Sequence, residues 1–129
     1  MIQRFIELGQ GYSDLYELLE LIQSQHGRIQ SLLVLHSESG GRKTVSAAVI
    51  MKPTDPGNFQ AIYICREGIS DPAESSSKRY ELFMDSAEKA GKKVYRLEVK
   101  PSSAFHEITL YYQYVTGILR LNHILPPLG

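Results

Sequence analysis

The sequence predicts an α/β (α+β) domain in which a mixed sheet of about five strands lies between helices. Three observations support this prediction. Segments with the periodicity of amphipathic helices alternate with short runs rich in Val, Ile and Tyr. The central runs are apolar at both odd and even positions, which is typical of strands buried on both faces. The 129 residues, 43% hydrophobic and 22% charged, have the length and composition of a single domain over residues 1–129.

The chain begins with a predicted strand and a predicted helix. Residues 2–8, IQRFIEL, are β-rich, and the following GQG interrupts the strand. Residues 12–27 predict a helix with Ser13 as the N-cap and Gly27 as the stop. Its apolar residues recur at helical spacing, at Leu15, Leu18, Leu19 and Ile22.

A three-stranded meander is predicted next. Its strands are residues 28–37, 43–52 and 58–66. The segment ESGGR between the first two contains a Gly-Gly pair typical of hairpin turns. The segment PTDPG between the second and third combines Pro, Asp and Gly, which favour turns. His36, at the end of the first of these strands, is predicted to be a surface histidine.

The last third of the chain predicts two helices around one strand. Residues 67–77 read as a polar loop, 78–92 as a helix, and 94–99 as a strand. The final helix, 107–122, has the cleanest amphipathic pattern, and the tail 123–129 is predicted to be irregular. Its predicted buried stripe comprises Ile108, Tyr111, Tyr112, Val115, Ile118, Leu119 and Asn122. The complete predicted order is β-α-β-β-β-α-β-α.

Composition and sequence pattern argue against several classes of protein. The 14 basic and 14 acidic side chains give no net charge, so nucleic-acid binding is not indicated. No stretch approaches the ~18 apolar residues of a membrane span, and the N-terminal segment lacks the pattern of a signal peptide. Cys65 is the single cysteine, which excludes an intrachain disulfide and a Cys-rich zinc site. We therefore expect a soluble cytoplasmic protein without a membrane partner.

The order helix, meander, helix, strand resembles the core of the restriction-endonuclease-like fold. In that family two carboxylates hold a divalent ion that activates water, and a lysine stabilises the developing charge. The resemblance implies an acid after the second meander strand, where Asp55 stands. It also implies an acid-x-lysine motif, which occurs here as Glu98 and Lys100, and a helical acid, Glu17 or alternatively Glu20.

The chain departs from the nuclease pattern at the third meander strand. That strand contains Tyr63, Ile64 and Cys65 where the family has its acid-x-lysine. Glu98 and Lys100 come one helix and one strand later, where surface charges are the favoured interpretation. We therefore expect a binding or interaction protein without catalytic activity and without a cofactor. The alternative is a metal-dependent nuclease-like enzyme that uses Mg²⁺ and has a degenerate or migrated active site.

Charged residues near the turns of the meander are the predicted binding residues. Loops at the ends of a rigid sheet commonly carry sites, so these residues predict a cleft of mixed charge. They are Lys52, Asp55, Arg66, Glu67, Lys78 and Arg79.

Helix 107–122 is also a predicted homodimer interface. Tyrosines are frequent at interfaces, and Tyr111, Tyr112 and Tyr114 lie in this helix. Gly117 within it costs about 1 kcal/mol relative to alanine. Close approach of another backbone, within the fold or across a dimer, would offset that cost.

Several segments together resemble one family of small uncharacterised proteins from Bacillus-type bacteria. The segments are MIQRFIELGQGYSDLYELLE, PTDPGNFQAIYICREGI, KRYELF, EVKPSS and YYQYVTGILRLNHILPP. The resemblance implies no activity. Some members bear the name methylthioribose kinase, but this chain is too short for such a kinase and lacks its catalytic and phosphate-binding loops.

Overall fold

The observed elements follow the predicted order. The computed structural model describes residues 2–8, 13–53, 59–73 and 78–126. Within these ranges the strands are β1 (Ile2–Glu7), β2 (Ile29–Ser39), β3 (Arg42–Met51), β4 (Phe59–Ser70) and β5 (Val94–Glu98). The helices are α1 (Ser13–Ser24), α2 (Lys78–Ala90) and α3 (Ile108–Leu121), with short 3-10 helices at His26–Arg28 and Ser102–Ala104. The α+β fold class is therefore confirmed.

The five strands form one mixed sheet in the order β1-β4-β3-β2-β5. β1 is parallel to β4, and β5 is parallel to β2. β3 runs antiparallel to both of its neighbours. The other four strands therefore point the same way, and their carboxyl ends lie at one edge of the sheet. We call this the carboxyl edge.

Helices α1 and α2 cover one face of the sheet. The buried leucines and isoleucine of α1 recur at helical spacing and belong to one core cluster with Phe83 and Ala87 of α2. Alternate residues of β2 and β3 complete this cluster, because successive side chains of a strand point to opposite faces of the sheet. Full burial of one such aliphatic side chain stabilises the fold by about 1.5–3 kcal/mol. The fully buried residues of α1 and β2 in this layer include Leu15, Leu18, Ile22, Leu32 and Val34.

Helix α3 covers the opposite face. Tyr111, Val115 and Leu119 of α3 are fully buried there. They belong to the same core cluster as the other alternating residues of the central strands, which include Leu33, Leu35, Ala48, Ile50, Ile62 and Ile64. Two apolar faces explain why the central runs of the sequence lack polar alternation. The predicted stripe of α3 was wrong at both ends, because Ile108 and Asn122 are exposed.

Strand β4 is longer than predicted. It continues to Ser70 through residues that the sequence indicated as loop. The register shifts between Val45, which faces Ile69, and Ala47, which faces Cys65. The extra residues form a bulge at Glu67, which has a positive φ of 53°.

Two hydrogen bonds hold this bulge in place. The hydroxyl of Ser46 accepts a bond from the backbone N–H of Glu67 at 2.8 Å. The carboxylate of Glu67 accepts a bond from the backbone N–H of Ser102, also at 2.8 Å. Local sequence patterns do not encode such long-range bonds. The sequence therefore predicted that the strand ends at residue 66, although β4 continues to Ser70.

The tail behind α3 has no helix or strand over residues 122–126. Ile124 and Leu125 are nevertheless buried with the α3 side of the core. Residues 127–129 of the predicted irregular tail lie outside the described residues.

Candidate functional site

Residues from four strands or their ends meet at the carboxyl edge on the α1/α2 face. His36 lies near the end of β2, and Asp71 directly follows β4. Glu98 ends β5 directly opposite His36 in the parallel ladder, and Lys43 of β3 faces Glu38 of β2. In open α/β sheets, ligands bind outside the carboxyl ends of the strands. A ligand site is therefore expected at this edge.

A buried, hydrogen-bonded pair of side chains forms the floor of this region. Nδ1 of His36 lies 2.9 Å from Oδ2 of Asp71, and the two residues are only 7% and 4% exposed. The other carboxylate oxygen accepts a bond from the backbone N–H of Ala73 at 2.9 Å. Burial alone raises the pKa of Asp71. The bonds from His36 and Ala73, together with the charge of Lys43, outweigh burial and hold the pKa below its ordinary value.

The carboxylate determines which nitrogen of His36 carries the proton. An ionised Asp71 only accepts hydrogen bonds, so Nδ1 of His36 must donate. In the neutral ring this leaves Nε2 as an acceptor. Nε2 is buried and has no hydrogen-bond partner among the described residues. A buried polar atom without a partner costs about 1–3 kcal/mol, so it requires an explanation.

His36 lines a cavity of about 320 Å³, which we call the His36 cavity. Glu38 and Glu98 contribute negative charges to its wall, and Lys43 and Arg96 contribute positive ones. The described lining residues are His36, Ser37, Glu38, Lys43, Asp71, Ala73, Arg96, Glu98 and Val99. Small-ligand sites of this kind combine a concave surface with a few convergent polar groups. The arrangement suits a small polar molecule that donates a hydrogen bond to Nε2.

Comparison with known proteins identifies the family but no activity. The profile of a family described as a domain of unknown function, DUF7147, matches residues 1–125. The chain belongs to the DUF7147 family. No curated protein and no solved structure matches it. The predicted membership of an uncharacterised family is therefore confirmed, whereas the link to Bacillus-type bacteria stays a prediction.

The nuclease residues of this DUF7147 chain do not form a common site in the described ranges. Glu17 is exposed on α1, and Asp55 lies outside the described residues. Glu98 lines the His36 cavity on the α1/α2 face. Lys100 instead contacts α3, with its backbone N–H 3.0 Å from the hydroxyl of Tyr114 and its Nζ 6.0 Å from the ring centre. The acid and the lysine diverge because β5 ends between them, at Glu98.

No metal-binding group is evident in the described part of this DUF7147 chain. The side chains of His, Cys, Asp and Glu there form no group of three or more that is arranged to hold an ion. Helices long and apolar enough to cross a membrane are also not found in these ranges. The cytoplasmic location and the lack of a cofactor stay predictions.

The residues of the predicted mixed-charge cleft lie in different parts of the structure. Lys52 follows β3 and therefore lies at the edge opposite to Arg66 and Glu67. Lys78 and Arg79 begin α2, on the other face of the sheet from the contacts of Arg66 with Ser102 and Glu7. Asp55 lies outside the described residues. The meander connects the described members of this set along the chain but does not bring Lys52 and Arg66 together in space.

Arg66 instead belongs to a network that fastens several elements. Its Nε donates to Glu7 of β1 at 2.6 Å, and its Nη1 donates to Ser102 at 2.8 Å. The hydroxyl of Tyr112, from α3, also donates to Glu7. Burial on its own raises the pKa of Glu7, but the bonds from Tyr112 and Arg66 hold it below its ordinary value. Burial, and then the bond to Glu7, raise the pKa of Tyr112.

The prediction for His36 was wrong, because the residue is buried. Its partner Asp71 lies in a segment predicted as loop, 35 residues away along the chain. One sequence signal was available: His36 directly follows four apolar residues, Leu32 to Leu35, on a strand covered on both faces. A histidine that continues such a run is expected to be buried.

Proposed function

We propose that this protein binds a small polar molecule in the His36 cavity. One observation carries the proposal: Nε2 of His36 is buried and has no hydrogen-bond partner among the described residues. The contact of Nδ1 with Asp71 favours the tautomer in which Nε2 accepts. A ligand with an N–H or O–H group at this position would replace the lost hydrogen bond. Such a partner stabilises the folded protein by mass action.

The charges of the wall define the rest of the ligand. Glu38 and Glu98 provide acceptors, whereas Lys43 and Arg96 provide donors. Because both signs are present, a molecule with separate donor and acceptor groups fits better than a simple anion. The cavity of about 320 Å³ lies at the small end of the range for ligand sites, which favours a metabolite over a macromolecule.

The experiment is a thermal-shift screen of amino acids, polyamines, nucleosides and sugars, followed by nitrogen-detected NMR of the histidine rings. We expect a binder to raise the unfolding temperature and to shift the Nε2 resonance of His36 toward a hydrogen-bonded value. His36→Gln should abolish the binding. His106→Gln, at an exposed histidine, is the matched control and should bind like the wild type.

Two results would reject the proposal. A ligand that binds without moving the Nε2 resonance acts elsewhere on the protein. Equal binding by the wild type and the His36→Gln variant leads to the same conclusion. The NMR measurement uses the wild-type protein, so its result does not depend on the stability of a variant.

We also propose a homodimer through α3, for which one observation is specific. A Cβ on Gly117 would meet nothing within 4 Å among the described residues, so no close contact within them explains the glycine. Leu110 and Leu121, which are 43% and 80% exposed, lie on the same stripe as Gly117 at spacings of seven and four residues. A second copy packed on this stripe would cover both leucines.

Sedimentation of the protein at about 50 µM tests the dimer, because association depends on concentration. We expect a dimer in the wild type and a monomer in Leu121→Lys. Tyr16→Lys changes another exposed large apolar residue, which lies on α1, and this variant should remain dimeric. A wild-type monomer at this concentration would reject the α3 interface.

A further inference from the structure

A groove on the α3 face lies far from the His36 cavity in the fold. It runs between α3 and β1, which is an edge strand of the sheet. Its volume is about 410 Å³. The described lining residues are Gln3, Arg4, Phe5, Thr109, Tyr112, Gln113, Thr116 and Arg120. Arg4 and Arg120 carry the only formal charges among them, so the described wall of the groove has a positive sign.

Arg120 is held in place by a chain of glutamines. Its Nη2 donates to Oε1 of Gln3 at 2.9 Å. Gln3 donates to Gln60 at 3.3 Å, and the buried Gln60 donates to Gln30 and to the carbonyl of Met51 at 3.1 and 3.0 Å. This series of hydrogen bonds positions the guanidinium in the absence of a ligand. Preorganisation of this kind lowers the entropic cost of binding.

The charge of Arg120 lacks a counterion in the described part of the chain. The residue is half-buried, yet no carboxylate of the described residues lies within salt-bridge distance of it. Its Nε is buried and has no hydrogen-bond partner among these residues. A charge removed from water is costly unless it is paired, and an unpaired buried donor adds to that cost. An oxyanion would satisfy both.

The other walls suit a small molecule that carries such a group. The rings of Phe5 and Tyr112 stack at 4.5 Å with an angle of 12°, which gives the groove a flat aromatic wall. Thr109 and Gln113 are exposed and offer additional polar groups. Carboxylates and phosphates match the planar donor geometry of arginine.

We propose that this groove binds the carboxylate or phosphate group of a small molecule, with Nε–H of Arg120 as a fixed donor. The site is independent of the His36 cavity, because it lies on the opposite face and uses other residues. Its ligand differs in class, since the described charges are positive here and mixed there.

The experiment follows the Nε–H resonance of Arg120 by NMR while inorganic phosphate, acetate or chloride is added to the wild-type protein at matched ionic strength. We expect a saturable shift with phosphate or acetate and none with chloride. A larger affinity for one of the two oxyanions identifies the preferred group. Equal shifts with chloride, or no saturable shift with either oxyanion, would overturn the proposal.

Variants separate a directed bond from simple attraction of charge. Arg120→Lys keeps the positive charge but has no Nε–H, and we expect its affinity for the oxyanion to fall at least about tenfold. Arg42→Lys, at an exposed arginine in the β2–β3 hairpin, should bind like the wild type. Unchanged affinity in Arg120→Lys would overturn the assignment of Nε–H as the donor.

Discussion

Two pairs of polar side chains at the carboxyl edge of the sheet, one on each face, have different surroundings. On the α3 face, Arg66 and Glu7 are joined by Ser102 and Tyr112, and the two charged side chains are 29% and 32% exposed. On the α1/α2 face, His36 and Asp71 are almost completely buried, with side-chain exposures of 8% and 6%. The first pair keeps contact with water. In the second pair, Nε2 of His36 has no hydrogen-bond partner in the described part of the chain.

This difference distinguishes a structural network, at Arg66 and Glu7, from a candidate binding site, at His36 and Asp71. The Arg66–Glu7 network connects β1, β4, α3 and the segment after β5 through bonded groups, and nothing in it requires a ligand. In the His36–Asp71 pair, Nδ1 and both carboxylate oxygens have hydrogen-bond partners, whereas Nε2 of His36, a residue that lines a cavity, has none among the described residues. A buried group that is unsatisfied in the free protein is the stronger indication of a binding site.

Removal of Asp71 should give the largest effect on stability. We expect Asp71→Ala to lower the free energy of unfolding by about 3 kcal/mol, because breaking a buried pair leaves the other partner uncompensated. Glu7→Ala should cost less than about 1 kcal/mol, because solvent screens that partly exposed pair. Urea unfolding of both variants measures the difference. A larger loss in Glu7→Ala would reverse the comparison.

Acid should weaken the buried pair. The pKa of Asp71 in the folded protein lies below the ordinary value of 3.8. Its contribution to stability is therefore fully present above about pH 4 and is lost as the pH falls through the folded-state pKa. We expect the urea midpoint of the wild type to fall more steeply in this range than that of Asp71→Asn. Parallel pH profiles would show that Asp71 does not carry the effect.

Loss of the bond at the β4 bulge should have a moderate effect. Ser46→Ala removes the acceptor for the backbone N–H of Glu67, and we expect a loss of about 1 kcal/mol. Ser39→Ala is a matched control, since its hydroxyl contacts Ser103 at an exposed position, and should change stability by less than about 0.5 kcal/mol. Urea unfolding compares the two. Equal losses would mean that Ser46 does not hold the bulge.

The fold was more predictable from sequence than the site. Helical spacing in α1 and apolar runs in β2 and β3 are local signals, and the residues that produce them are buried as expected. The missed part of β4 depends on Ser46 and Ser102, which contact Glu67 from elsewhere in the chain. Local periodicity carries no information about such contacts.

The candidate site depends on two features that the predicted meander did not include. The meander places β2 and β4 on either side of β3, but the sequence did not predict that β4 continues to Ser70, which brings Asp71 to His36, or that β5 pairs with β2. Arg66 and Glu67 were selected from their charge, but the bulge directs them into bonds with Ser102 on the α3 face. Charge identifies polar residues, whereas topology decides which of them share a cavity.

Replacement of both members of the buried pair should have the smallest effect on stability. In His36→Leu/Asp71→Val no buried charge is left unpaired, and the unsatisfied Nε2 is removed as well. We expect the free energy of unfolding to lie within about 1 kcal/mol of the wild type, although each single replacement is clearly destabilising. Urea unfolding of the four proteins gives the coupling energy of the pair.

The same double variant tests why the pair is present. If the role of the pair were stability, the double variant would lose about as much unfolding free energy as the two single variants together. If binding is its role, the double variant folds normally and no longer shows the thermal shift that the wild type gives with a ligand of the His36 cavity. A stable double variant that still binds would assign the ligand to another part of the molecule, and the unpaired Nε2 would then be a cost without a binding function.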